Sequence, residues 1–213
     1  MTATRTVVVV PGLWVSPFFM RPLAWRLEAA GFAAARFGYR SVRATLEANA
    51  DALVAFCRGR AGPLDFVAHS LGGAIVATAL ERAPDVVAHR CVLIGTPFAE
   101  CHAGRRLARY PGGATILGRS LPRWLAQTRP ALGSRCEVGV IAGSMRAGLG
   151  CLVATDLPRP NDGVIALEET AVPAMRDRIV LPVSHTAMMF SARVAREAGL
   201  FLRDGRFSVS APR

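Results

Sequence analysis

The first place in this chain where covalent chemistry could happen is a serine with small residues two positions away on each side. Residues 66–73 read Phe-Val-Ala-His-Ser-Leu-Gly-Gly. The apolar run Phe66-Val67-Ala68 leads through His69 into Ser70, and helix-compatible residues 73–83 follow with no room for a loop. Ala68 and Gly72 keep side chains from colliding where an extended segment swings directly into a helix. Such a turn lifts the Ser70 hydroxyl clear of the sheet. It also sets that hydroxyl at a helix N-terminus, where backbone N–H groups favour developing negative charge. The chemistry on offer is attack on an acyl carbon.

A serine hydroxyl is a poor nucleophile at neutral pH and needs a base, itself oriented by a carboxylate. On a strand–serine–helix turn these partners follow in the order acid, then histidine, each in a loop beyond a strand end. The chain has four histidines, which makes elimination practical. His69 precedes the nucleophile and is expected to point elsewhere in a structural role. His89 falls inside an apolar stretch, and His102 opens an irregular region. His185 alone follows a late apolar run, residues 179–183, and opens a helix at Ser184-His185-Thr186; it is the expected base. For the acid, Asp162 in Pro-Asn-Asp-Gly-Val-Ile is favoured, because Gly163 frees the backbone to aim its carboxylate. Asp156, in the same loop, is the alternative. Asp85, Asp177 and Asp204 fall at a helix end, a strand start and the C-terminal tail.

Acyl transfer also needs donors for the oxyanion. The expected ones are the backbone N–H of Leu71, just after the nucleophile, and that of Leu13 in the loop Pro11-Gly12-Leu13-Trp14. Trp14, Phe18 and Phe19 stand beside that loop with Leu13 and Met20. They would line an acyl pocket or form a lipid-facing rim; the plainer reading packs them on the sheet.

These residues need a scaffold, and the apolar pattern supplies one. Strands are predicted at 7–10, 33–37, 64–68, 86–94, 137–142 and 178–183. Helices are predicted at 17–30, 42–57, 73–83 and 187–202. Strands alternating with helices at this spacing imply right-handed crossovers and a mostly parallel central sheet with helices on both faces, an α/β fold. Residues 96–134 break the rhythm with Pro97, Pro111, Gly112, Gly113, Gly118, Pro122 and Pro130. Short helices fit near 105–109 and 122–127. This segment is either a lid over the site or an excursion covering a sheet edge.

At 213 residues the chain reads as one domain, 1–213. A hydrophobic fraction of 52% excludes disorder. The formal charge of +11 would ordinarily raise nucleic acid as a partner, but all 26 basic residues counted in it are Arg. That usage resembles GC-rich codon bias, the arginines are scattered, and no interleaved aromatics suggest a stacking platform. No nucleic acid is expected, whereas a weak membrane-surface contact is compatible with the charge. Five cysteines without a CxxC pair suggest neither zinc nor a redox dithiol. No metal or organic cofactor is expected. The N-terminal apolar run is too short for a signal peptide, and the longest apolar stretch, 66–80, carries Ser70 and His69 rather than a membrane span. A cytoplasmic protein is the expectation.

With these residues in hand, the chain from Val7 to about Phe207 resembles small bacterial α/β-hydrolases of the lipase/serine-esterase kind. Ala-His-Ser-Leu-Gly-Gly is similar to their nucleophile elbow, with Ala68 in place of the commoner Gly. Val-Val-Val-Val-Pro-Gly-Leu-Trp resembles their oxyanion strand and loop. Ile-Gly-Thr-Pro (94–97), Asn-Asp-Gly-Val and Val-Ser-His-Thr resemble the motifs after later strands. The resemblance implies an α/β-hydrolase fold, a triad of Ser70, Asp162 and His185, oxyanion donors at Leu13 and Leu71, and a small-molecule or lipid ester as substrate. Pro11 departs from the family, which usually has His there to order the oxyanion loop. A thioesterase, amidase or acyltransferase would use the same triad, and a binding protein that keeps the fold without turnover is the remaining class.

Overall fold

The computed structural model describes residues 4–148 and 150–208. The first three residues of the polar N-terminal stretch therefore lie outside the described residues. Six strands, β1 (Thr6–Val10), β2 (Ala33–Arg36), β3 (Leu64–His69), β4 (Ala88–Ile94), β5 (Glu137–Gly143) and β6 (Asp177–Leu181), form one sheet in the order β2-β1-β3-β4-β5-β6. Every neighbouring pair is parallel.

Both faces of the sheet are covered, which is why its central strands read as continuous apolar runs rather than alternating ones. Successive valines of β1 go to opposite faces. Val8 and Val10 join a core with α2 (Leu46–Arg58) and α3 (Leu71–Arg82), whereas Val7 and Val9 join a second core with α1 (Arg21–Ala29) and α8 (Ala192–Asp204). The sheet order places β1 between β2 and β3, so the crossovers diverge there. In open α/β sheets the crevice beyond the strand C-termini at this divergence is where ligands bind.

Several helix boundaries differ from the periodic pattern, each for a local reason. The predicted helix at 17–30 splits into a 3₁₀ turn, Pro17–Met20, and α1. Pro22 has no N–H to continue the ladder across the junction. Thr45 and Ser191 cap α2 and α8 by accepting from Ala48 N and Val194 N at 3.2 and 3.3 Å, so both helices start later than expected. β6 ends at Leu181 because Pro182 cannot donate to the ladder.

The irregular segment 96–134 contains α4 (His102–Ala108), α5 (Gly113–Leu117) and α6 (Ser120–Ala126). It is pinned to the body through α6. Trp124 is fully buried in the core, and its indole N–H ties α6 to Pro97 O at 2.9 Å within the segment. Asn49 of α2 donates to Ser120 Oγ at 3.0 Å, and Arg123 pairs with Glu47 of α2 at 2.6 Å. A short α7 (Gly150–Val153) follows β5.

Candidate active site

Ser70 sits between β3 and α3 with φ 53 and ψ −125, a conformation costly for a residue with a Cβ. Its own N–H donates to Ile94 O at 2.9 Å, tying the turn to the end of β4. The strain projects Oγ beyond the sheet toward a histidine from the other end of the chain. His185 Nε2 stands 3.0 Å from Ser70 Oγ, and His185 Nδ1 stands 2.7 Å from Asp162 Oδ2.

The loop carrying Asp162 is built to hold that carboxylate still. Asp162 Oδ1 accepts from Val164 N at 2.9 Å and Ile165 N at 2.7 Å, leaving Oδ2 for the histidine. The backbone joins the pair too, with His185 N donating to Asp162 O at 2.9 Å. Because the carboxylate only accepts, the proton of the neutral imidazole lies on Nδ1, and Nε2 presents a lone pair to the serine hydroxyl. Gly95, with φ 56, makes room for this pair: a Cβ there would stand 3.1 Å from His185 Nδ1 and 3.2 Å from Asp162 Oδ2.

Asp156 is elsewhere. It pairs with Arg106 at 2.8 Å and His102 at 3.3 Å on the surface. His89 bonds Asp65 at 3.1 Å near the start of β4, at the opposite end of the sheet. His69, expected to point away, instead lines the site. Its ring centroid is 4.7 Å from that of His185, and its Nε2–H donates to His185 O at 3.0 Å. Its Nδ1 is buried without a partner, and burial pushes its pKa down to about 3, so it stays neutral.

The loop after β1 passes directly over Ser70. A Cβ on Gly12 would stand 2.9 Å from Ser70 Cβ, so only glycine permits this approach. Leu71 is the first residue of α3, and neither its N–H nor that of Leu13 donates to a backbone carbonyl among the described residues. Trp14 holds a left-handed φ of 61. Where the resemblance leads one to expect His, Pro11 offers no side-chain hydrogen bond, and the anchor comes from another strand. Tyr39 Oη, just past β2, donates to Pro11 O at 2.9 Å. Burial raises the Tyr39 pKa, keeping the phenol protonated as a donor. No sequence signal pointed to Tyr39, because the contact joins the ends of two strands across the crossover that links them.

Ser70 and His185 open on a cavity of about 460 Å³. Leu13, Trp14, Leu107, Leu117, Leu121, Val153, Ile165 and Met189 contribute apolar walls, and among the described residues no Asp, Glu or Arg lines it. Helices α4 to α6 thus form one side of the cavity. Cys101 also faces it, but burial pushes its thiol up to about 12, so it stays protonated near neutral pH. Phe18 and Phe19, expected to line an acyl pocket or form a lipid-facing rim, do not line the cavity. The 3₁₀ turn carries them outward, and both rings are about half exposed. Glu169, which the sequence did not single out, is buried and accepts from Ala166 N at 2.8 Å and from His102 N, joining the Asp162 loop to α4. Among the described residues no cluster of His, Cys, Asp or Glu could hold a metal ion, and no helix is long and apolar enough to cross a membrane.

A parallel sheet with helices on both faces and a serine on a strained strand-to-helix turn define the class as an α/β-hydrolase fold. Residues 7–207 match the alpha/beta hydrolase family over nearly the whole chain, and the protein belongs to that family. No curated protein matches this chain. Among solved structures it is similar to Bacillus licheniformis lipase BlEst2 in mature form, with 17% identity, 95% of this chain and 92% of that one covered, and a TM-score of 0.68. It is also similar to the metagenomic carboxyl esterase MGS0156, at 19% identity, 94% and 74% coverage and a TM-score of 0.70. Carboxylesterase CesB from Bacillus subtilis shares 13% identity over 96% and 85% of the two chains, with a TM-score of 0.58. At these identities the likeness is one of fold.

Proposed function

We propose that this chain is a serine hydrolase that cleaves carboxylic esters of apolar acyl groups through Ser70, His185 and Asp162. The observation that carries the reading is the continuous hydrogen-bonded path from Asp162 Oδ2 through the imidazole of His185 to Ser70 Oγ, opening on an uncharged cavity. His185 Nε2 takes the proton of Ser70 as Oγ attacks the ester carbonyl carbon. Asp162 stabilises the imidazolium that forms. The carbonyl electron pair moves onto oxygen, and the N–H groups of Leu13 and Leu71 are the donors for that oxyanion. Collapse expels the alkoxide, which leaves with the proton held by His185. Water then attacks the acyl-serine as His185 takes its proton; the second tetrahedral intermediate collapses, the C–Oγ bond breaks, and that proton passes to Ser70 Oγ as the acid departs.

The apolar walls support the substrate class. With no cation among the described residues of the cavity lining, an acid-bearing acyl group would lose its hydration without a partner. A thioester, an amide or an acyl acceptor other than water would run through the same acyl-serine. We read the chain as one domain in which segment 96–134 acts as a cap over the acyl site. Turnover of p-nitrophenyl esters from acetate to decanoate, beside a matched thioester and anilide, tests the reading. Ester turnover that disappears in Ser70→Ala supports it; a folded wild type inert toward the whole panel refutes it.

A further inference from the structure

Phe18, Phe19 and Trp25, all strongly exposed, stand on the outer side of the Pro17–Met20 turn and α1, whose inner residues Leu23, Ala24 and Leu27 pack on the sheet. They form one surface rather than scattered side chains. Phe18 and Phe19 meet edge to face at 5.9 Å, and the Arg21 guanidinium lies 5.2 Å from the Phe18 ring and 4.7 Å from that of Trp25. Arg36 reaches the same turn, donating to Pro17 O at 3.2 Å, and Arg40 precedes Ser41, whose hydroxyl accepts from Trp14 N at 3.2 Å. Trp14 is itself 57% exposed and lines the cavity, so this surface adjoins the cavity mouth.

The charge at this edge is almost entirely positive. Among the described residues Arg21, Arg26, Arg36 and Arg40 have no carboxylate within ion-pair distance, and Glu28 is the sole acid between residues 4 and 46. On the opposite sheet face, by contrast, Arg58 and Arg82 each grip an aspartate with two hydrogen bonds. Aromatic rings beside unpaired arginines suit an interface with anionic headgroups, the rings entering the acyl boundary and the guanidiniums staying at headgroup level.

We propose that this edge docks the protein on an anionic phospholipid bilayer, with the cavity mouth turned toward the lipid. A two-fold pairing of this surface with a second copy would set its unpaired arginines against each other. A single-stranded nucleic acid would need open ring faces, but Arg21 already covers one face of Phe18 and one of Trp25. The docking does not depend on the ester chemistry, and its test reads binding rather than turnover.

The experiment is co-sedimentation of the full chain, carrying Ser70→Ala so that lipid is not consumed, with phosphatidylcholine vesicles containing or lacking phosphatidylglycerol at about a quarter of the lipid. The proposal predicts binding at least about tenfold tighter with phosphatidylglycerol present. The triple variant Phe18→Ser, Phe19→Ser, Trp25→Ser should lose about tenfold or more of it, and each of Arg21→Gln, Arg36→Gln and Arg40→Gln about fivefold. The ring variant on the Ser70 background should keep wild-type turnover of a soluble short-chain ester, or wild-type thermal melting if no ester is turned over. Equal binding to both vesicle types, no binding, or binding unchanged in the ring variant overturns the proposal. So does a concentration-dependent dimer, or tight binding of an oligoribonucleotide, that the same ring substitutions abolish.

Discussion

Replacing Asp162 by Asn changes one atom of the acid–base pair, and the surroundings dictate which way the new amide must face. Oδ1 accepts from Val164 N at 2.9 Å and Ile165 N at 2.7 Å. An amide turned to put its NH₂ there would set a donor against two donors and leave both N–H groups unpaired, the buried one of Ile165 at about 1–3 kcal/mol. The amide carbonyl therefore stays on the Oδ1 side, and its NH₂ faces His185 Nδ1 across what was a 2.7 Å contact. Nδ1 must then accept, so the imidazole proton moves to Nε2 and points at Ser70 Oγ, 3.0 Å away. The base is blocked in its resting tautomer, and the imidazolium loses its counter-charge. Together these should lower kcat/KM by about 10³–10⁴, equivalent to roughly 4–5.5 kcal/mol of transition-state stabilisation. Stability should move far less, because the loop's own hydrogen bonds survive. Steady-state kinetics on p-nitrophenyl butyrate, with thermal melting as the control, checks this. Asp156→Asn, which loses only surface pairs to Arg106 and His102, should keep wild-type kcat/KM. If Asp162→Asn retains a tenth of the activity, or Asp156→Asn loses as much, the orientation argument is wrong.

The remaining predictions concern the loop, the cavity and the buried histidine. Tyr39→Phe removes the donor to Pro11 O and should lower kcat about tenfold with KM little changed, below the ~10²–10³ expected for a wholly lost oxyanion donor; an unchanged kcat would mean that the loop orders itself. Among straight-chain esters, kcat/KM should rise about fourfold per methylene, from roughly 0.8 kcal/mol each, until the cavity is full. Leu107→Trp, in the cavity wall, should move that break to a shorter chain; an unmoved break would place the acyl group elsewhere. His69 has a folded pKa near 3, below the ~6.5 of an unfolded histidine, so the unfolded chain binds the extra proton. Its contribution to stability is present above about pH 6.5 and is lost as pH falls from there toward 3. In urea titrations the stability advantage of wild type over His69→Gln should shrink by about 2 kcal/mol between pH 7.5 and pH 5; parallel pH curves for the two proteins would refute the buried neutral assignment.

What the sequence revealed was whatever its local pattern determines. Valine runs ended by Pro11 and the strand-to-helix turn at Ser70 are short-range features, and the parallel sheet follows from their alternation with helices. Ser70, Asp162 and His185 could be put forward because chain order and scarcity narrow the choice, and their side chains do meet. What stayed hidden depends on contacts between distant segments. Tyr39 reaches Pro11 across a crossover, and His69 turns into the site because His185 O offers an acceptor there. Helix α5 was masked by the glycines at both its ends. Adjacency alone left Phe18 and Phe19 either in an acyl pocket or at a lipid-facing rim; Pro22 breaks the helix, and the preceding 3₁₀ turn faces them outward.

The central claim is that Ser70 is a nucleophile activated by His185. Its most direct test is labelling with a fluorophosphonate probe, with the adduct located by peptide mass spectrometry in wild type, Ser70→Ala and His185→Ala. The account predicts a phosphonyl adduct on Ser70 in the wild type, none in Ser70→Ala, and labelling at least about a hundredfold slower in His185→Ala. A folded wild type left unlabelled, or an adduct formed equally fast without His185, would contradict it.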